Sequence, residues 1–276
     1  ALQTAIGAGQ VSAKSNYAVT ISDASVDAGD INAMSGIGVG KTTGTISVTA
    51  ADDINGTEAE LSTFFTNVGN NKISTSVDYN LEVEDATITA ANITTFDGYT
   101  IGTITATNAT TITGSLSDLA AVFASGEVSL PGAINVQFDA VAGATAQNVA
   151  DLNSVLAATS GSVTGSIQGA MAPLLVITDD ANSVAASDLA LVLAAESVDA
   201  TDISLLEAVS GTGTIDGSNL TAINGTYAEI AQALTDLDTD PTNFNSTLSA
   251  GAENATDISL LEAANGTGTI DGSNLT

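Results

Sequence analysis

Three acids at alternate positions, Asp236, Asp238 and Asp240, have the spacing of the first half of a calcium-binding loop. Carboxylates so placed would offer hard oxygen ligands to Ca2+, and these three are the candidate metal ligands of the chain. The second half of the pattern is missing. Pro241 stands where a glycine would permit the turn, and Thr247 stands where a bidentate Glu would close the cage. The groups Asp23/Asp27/Asp30, Asp52/Asp53 and Asp179/Asp180 read as helix caps and turns, where weakly bound Ca2+ would relieve mutual repulsion. Ca2+ is the one cofactor these acids suggest, and the chain requires none.

Other chemistry has little to work with. The 276 residues include no His, Cys, Arg or Trp, and the only basic side chains are Lys14, Lys41 and Lys72. A Ser-His-Asp triad, a thiolate nucleophile and a metal site built on imidazole or sulfur are therefore excluded. Two carboxylates suffice to hydrolyse a glycoside, but the acids here are spread along the chain, and the divergent stretch from Gln168 to Ile177 contains none. No catalytic residue is assigned, and the expectation is a protein that is not an enzyme.

Charge narrows the partners and the setting. With 32 acidic residues against 3 basic ones, the formal charge is −29, which repels phosphate backbones and excludes nucleic acid. Self-repulsion on this scale is relieved in salt water, where the screening length falls to a few ångströms. No basic residue follows Lys72, so trypsin-like proteases find no site beyond it. Both features suit an extracellular or cell-surface location. No apolar run approaches the ~20 residues that span a bilayer, so no membrane insertion is expected. The opening Ala1-Leu2-Gln3 reads as a processed start or as a segment of something longer.

The elements that would position these residues come in repeats. Residues 199–221 (DATDISLLEAVSGTGTIDGSNLT) and 254–276 (NATDISLLEAANGTGTIDGSNLT) are identical at 20 of 23 positions, 55 residues apart. Tyr17–Ile31 matches Tyr79–Ile93 at a spacing of 62, and the segment from Gly44 (GTISVTAADDINGT) matches that from Gly102 (GTITATNATTITGS) at 58. Further copies begin at Thr145 and Ser183. The modules are 15–74, 75–133, a diverged 134–182 and 183–253, with partial modules at 1–14 and 254–276. Periods of this size signal stacked arrays.

Within a module, period-two stretches such as Ala18–Ile21 and Thr103–Ala106 alternate with short helical patterns. Thr57-x-x-Glu60, Ser115-x-x-Asp118 and Thr226-x-x-Glu229 mark one set of helix starts; Asp27-x-x-Asp30, Asp199-x-x-Asp202 and Asn254-x-x-Asp257 mark the other. Strand, helix, strand, helix with short connections implies parallel right-handed crossovers. The expected fold is an α/β repeat, a solenoid-like array of strand–short helix coils with a parallel sheet. The alternative is a string of small α+β or β-sandwich modules.

The elements Ser-Val-Asp-Ala-x-Asp-Ile (from Ser25 and Ser197), Gly-Thr-Ile (from Gly44, Gly102 and Gly268) and Asn-Gly-Thr-x-Ala-Glu (from Asn55 and Asn224) resemble the Ala/Thr/Asp-rich tandem repeats of very large secreted or cell-surface proteins of marine cyanobacteria and related bacterial adhesins. The resemblance implies an extracellular structural or adhesive role and brings no catalytic residue with it. The expected function is a non-catalytic filament, surface layer or adhesin stalk; its incomplete terminal modules mean either an excerpt of a longer repeat protein or a subunit that self-associates head to tail. The alternative is a calcium-dependent adhesin or glycan-binding module with an unidentified surface or glycan ligand. Nine Asn-x-Ser/Thr sequons, from Asn55 to Asn274, are a further surface motif, and Thr103, Thr105, Thr107, Thr110, Thr111 and Thr113 could line one face of a flat sheet as in ice-binding solenoids, although Thr is also simply a good strand former.

Overall fold

The computed structural model describes residues 16–36, 41–178, 188–210, 212–250 and 253–275. Lys14, the glycine-rich stretch 37–40, Asp179, Asp180 and the start of the repeat copy at Ser183 lie outside the described residues. The chain is α/β, with parallel sheets and alternating strands and helices. It divides into two compact units, Ala1–Thr113 with Ala121–Ile134, and Gly114–Ala120 with Asn135–Thr276.

The first unit opens with β1 (Val19–Thr20), β2 (Ser25–Asp27), α1 (Ala28–Met34), β3 (Ile46–Ser47), β4 (Asp53–Gly56) and α2 (Glu58–Gly69). It continues through β5 (Ile73–Ser74), β6 (Asn80–Val83), β7 (Thr87–Thr89), α3 (Ala90–Asp97), β8 (Ile104–Thr105) and β9 (Thr111–Gly114). Next come α4 (Leu116–Ala124), whose first residues are assigned to the second unit, and β10 (Val128–Ser129). Strands β1, β3 and β5 form one parallel sheet, and β2, β4, β6, β8 and β10 form another. The chain thus returns beside itself at a regular interval: Val19 pairs with Ile46 and Ile46 with Ile73, while Val26, Ile54, Leu81, Ile104 and Val128 line up across the second sheet. Each of these residues except Val128 is buried, so the aligned apolar side chains build a thin core.

The sequence repeat and this strand pairing are out of step. Val19 and Leu81 are equivalent in the 62-residue repeat, yet Val19 lies in the β1-β3-β5 sheet and Leu81 lies beside Ile54 and Ile104 in the other. Two coil steps carry the chain from Val19 to Ile73, and the repeat then runs eight residues further. A physical reason is at hand. Strands stack about 4.8 Å apart, whereas packed helices need about 8–10 Å. Helices α1 and α2 pack together after successive strands of the second sheet, and the next helix, α3, follows β7, which pairs with β9 instead.

The second unit contains β11 (Asn135–Phe138), α5 (Ala146–Ala158), β12 (Val163–Gly169), α6 (Met171–Leu174), β13 (Asp188–Leu193), β14 (Ser197–Asp199) and α7 (Ala200–Ser210). It ends with β15 (Thr214–Asp216), β16 (Ala222–Asn224), α8 (Tyr227–Asp236), β17 (Ser246–Thr247), α9 (Ala255–Ala264) and β18 (Ile270–Asp271). Parallel pairing joins β11, β12, β13 and β15 in one sheet, β14 to β16, and β17 to β18. The same displacement recurs: Ile215 pairs with Leu191 next to β12, whereas its repeat equivalent Ile270 pairs with Ser246, in a strand that continues from β16.

The Gly-Thr-Ile element is explained by close approach. A Cβ on Gly44, Gly102, Gly213 or Gly268 would overlap the carbonyl oxygen of Tyr17, Tyr79, Leu189 or Phe244 respectively, one coil earlier. Only glycine fits between stacked strands there. The hydroxyls of Thr42 and Thr100 donate to the same Tyr17 and Tyr79 carbonyls and accept from the N–H of Gly44 and Gly102 at 2.9 and 3.0 Å.

Candidate assembly face

The hydroxyl-marked helix starts are formed as the spacing implies. Thr57 and Thr226 each make a reciprocal capping box with Glu60 and Glu229, and Gly56 and Gly225 precede them at φ of 159° and 150°, a conformation that excludes most side chains. Two backbone and side-chain hydrogen bonds from Thr57 hold the Glu60 carboxyl below its usual range. Asp27 accepts from the Asp30 N–H at 2.7 Å, and Asn254 caps α9 with its own box to Asp257.

A second set of caps comes from the following coil. The first N–H of α2, at Glu58, donates to Asp85 Oδ2 at 2.6 Å. The first N–H of α6, at Met171, donates to Glu196 Oε1 at 2.5 Å, and that of α8, at Tyr227, to Glu253 Oε1 at 3.2 Å. Each acid lies 25 to 27 residues beyond the helix start it serves, one coil on. Sequence inspection missed these contacts, although their spacing matches the register interval. They give acidic side chains a task that needs no metal, because a helix N-terminus carries partial positive charge.

The candidate metal ligands are placed in the same way. Asp236, the last residue of α8, accepts from Ser204 Oγ at 2.5 Å and from Gln232 Nε2 at 2.7 Å. Asp238 Oδ2 accepts from the Ile215 N–H at 2.8 Å, and partial desolvation holds the Asp240 carboxyl above its usual range. Asp236 and Asp238 therefore fasten one coil to the preceding one. Among the described residues no group of three or more acidic side chains is positioned to hold a metal ion.

The polar surface motifs are likewise drawn into bonds between coils. Asn219 Nδ2 donates to the Leu193 carbonyl at 3.2 Å, and its repeat counterpart Asn274 to Leu248 at 3.3 Å. Asn245 accepts from the Thr269 N–H at 2.9 Å, and the Thr105 and Thr110 hydroxyls donate to the Leu81 and Ala86 carbonyls at 3.1 and 3.0 Å. On the β2-β4-β6-β8 sheet, Ser25, Asp53, Asn55, Asn80, Glu82 and Thr105 line a shallow cleft of about 610 Å³. Asn80 bridges this row by donating to Asp53 at 3.0 Å and accepting from the Thr103 N–H at 3.0 Å.

The two near-identical segments differ in how their apolar residues are covered. In residues 199–221 Ala200, Ile203, Ile215 and Leu220 are buried. In residues 254–276 the equivalent Ala255 is exposed, and Ile258, Ile270 and Leu275 are only half-buried. The first copy is covered by the coil that follows it: α8 packs on α7, and Leu237 lies where a Cβ on Gly217 would stand. In the second copy the corresponding place at Gly272 meets only Leu275. Ile258, Ile270 and Leu275 line an open cleft of about 460 Å³ with the buried Leu248 at its base.

Among the described residues no helix is long and apolar enough to cross a membrane. No protein-family description, curated protein or solved structure matches the chain.

Proposed function

We propose that this is a non-catalytic structural repeat protein, a solenoid-like array of strand–helix coils that serves as an extended filament, surface layer or adhesin stalk outside the cell or at its surface. The observation that carries the reading is the parallel register that recurs along the chain, from Val19 to Ile46 to Ile73 and from Val26 through Ile54, Leu81 and Ile104 to Val128. Coils that stack in this way would also allow end-to-end growth, and a heterologous interface produces open filaments unless its rotation closes. The acidic character, with all three basic residues in the first 72 positions, supports a saline, protease-exposed setting.

The acids support a structural role in a second way, because Asp85, Glu196, Glu253, Asp236 and Asp238 are engaged between coils. A calcium-dependent adhesin or glycan binder draws less support, since Asn80 ties the acidic cleft on the first unit into hydrogen bonds of its own. Electron microscopy of native material in its own salt tests the proposal. Rods or filaments of constant width are expected. Discrete particles that bind a sugar or surface only with Ca2+ would overturn it.

A further inference from the structure

We propose that Asn108, in the sequon Asn108-Ala109-Thr110, is an acceptor for N-linked glycosylation on the folded chain. The fold separates it from the other sequons by what each asparagine side chain is already doing.

Transfer of a sugar needs an available side-chain nitrogen. Asn Nδ2 bonds to the anomeric carbon of an activated donor such as a nucleotide sugar, the bond from that carbon to the phosphate oxygen breaks, and Nδ2 gives up one proton. At most sequons this amide is committed. Asn55 Nδ2 donates to Glu84 Oε1 at 2.9 Å, Asn92 Nδ2 to Glu58 Oε2 at 3.1 Å and Asn224 Nδ2 to Ser197 Oγ at 2.8 Å. Asn245 and Asn254 are held through Oδ1, which accepts the Thr269 N–H at 2.9 Å in one and the Asp257 N–H at 3.0 Å in the other. Asn265 is buried. Asn108 is exposed, and no hydrogen bond to another described residue holds its side chain.

Asn219 and Asn274 occupy the same corner of the coil as Asn108. At each corner the residue after the asparagine closes a tight turn: the Ala109 N–H donates to the Ala106 carbonyl at 3.1 Å, Leu220 to Gly217 at 2.9 Å and Leu275 to Gly272 at 3.0 Å. Asn219 and Asn274 then donate from Nδ2 to the Leu193 and Leu248 carbonyls of the preceding coil, and Asn108 does not. Its coil has neighbours on both sides. The Ala106 N–H donates to the Ser129 carbonyl of the following coil at 3.1 Å, and the Thr110 N–H to the Ala86 carbonyl of the preceding one at 2.8 Å. The exposure of Asn108 therefore belongs to the corner between β8 and β9 rather than to a chain end, and a glycan there takes no place that a neighbouring coil needs. The exposed Thr110 hydroxyl, which a transferase reads as part of the sequon, has one bond to release, to the Ala86 carbonyl at 3.0 Å.

The test treats the purified, folded full chain with UDP-glucose and a soluble N-glucosyltransferase of Asn-x-Ser/Thr specificity, and maps the products by mass spectrometry after cleavage at acidic residues. Asn108 should gain a hexose at least tenfold faster than Asn55 or Asn219, and Asn108→Gln should remove the fast phase. Synthetic peptides spanning the same sequons, free of the coil bonds, should react at similar rates. Labelling of Asn55 or Asn219 as fast as Asn108 in the folded chain would overturn the assignment, as would an Asn108 that stays unmodified. A preference for Asn108 that persists in the peptides would also overturn it, because local sequence rather than the fold would then be its source. None of these results depends on whether native material forms filaments, so failure of this proposal is distinguishable from failure of the structural reading.

Discussion

The Asp85 carboxylate accepts the first N–H of α2 from Glu58 at 2.6 Å, and Glu58 in turn accepts the Thr89 N–H at 2.6 Å beside the start of α3. Acids thus link two successive helices reciprocally across the coil boundary. Asp85→Ala should cost about 1 kcal/mol, the usual worth of a helix cap. Asp78→Asn, at an exposed position, should stay within about 0.5 kcal/mol. Urea unfolding of the two variants makes the comparison, and equal effects would refute a capping role for Asp85.

Gly102→Ala drives a methyl group into the Tyr79 carbonyl, whereas Gly126 has open space around its Cβ position. The first substitution should destabilise by about 1–3 kcal/mol or prevent folding, and Gly126→Ala should be close to neutral. A shift in urea midpoint for both or for neither would contradict the close approach of strands at Gly102.

Asn265 is buried and its Nδ2 has no hydrogen-bond partner, while its repeat counterpart Ser210 donates to the Glu207 carbonyl at 3.2 Å. Asn265→Ser removes the unsatisfied donor and should stabilise by about 1 kcal/mol. Thermal unfolding reads the sign directly.

The Glu60 carboxyl is held below its usual range by Thr57, so it binds its proton less readily folded than unfolded. Its contribution is therefore present above the unfolded pKa and is lost as pH falls through the folded one. The stability gap between wild type and Glu60→Gln should be widest near neutrality and close on acidification below about pH 4. A gap that grew in acid would invert the sign and refute the capping box as its source.

Asp238→Ala removes the acceptor of the Ile215 N–H. The resulting loss of about 1–3 kcal/mol should be the same in Ca2+ and in a chelator at matched ionic strength. A loss confined to the calcium condition would return Asp236, Asp238 and Asp240 to the role of metal ligands.

Much of this was legible in the chain itself. The duplicated segments, the capping boxes at Thr57 and Thr226, and the alternation that implies parallel crossovers all depend on contacts within a few residues. The sheet to which a strand belongs does not. Ile215 and Ile270 lie in the same local sequence, Gly-Thr-Ile-Asp-Gly, and pair in different surroundings because register is set by the coil before and the coil after. The carboxylates eluded local reading for the same reason: Asp85, Glu196 and Glu253 bond to helices a full coil away. The expected strands were also too long. Ala18–Ile21 contributes only Val19–Thr20, and Thr103–Ala106 only Ile104–Thr105, since the chain bends at each corner of the coil.

The eight residues by which the repeat overshoots two coils have a bearing on how such a chain is copied. Leu81 enters a neighbourhood that Val19 never meets, yet both keep a buried apolar side chain and a parallel neighbour. Each stretch keeps its buried side chain in whichever ladder it joins, while its neighbours set the register. Gene duplication can therefore splice in lengths that are not whole multiples of the turn, and extension becomes a matter of counting units rather than redesigning them.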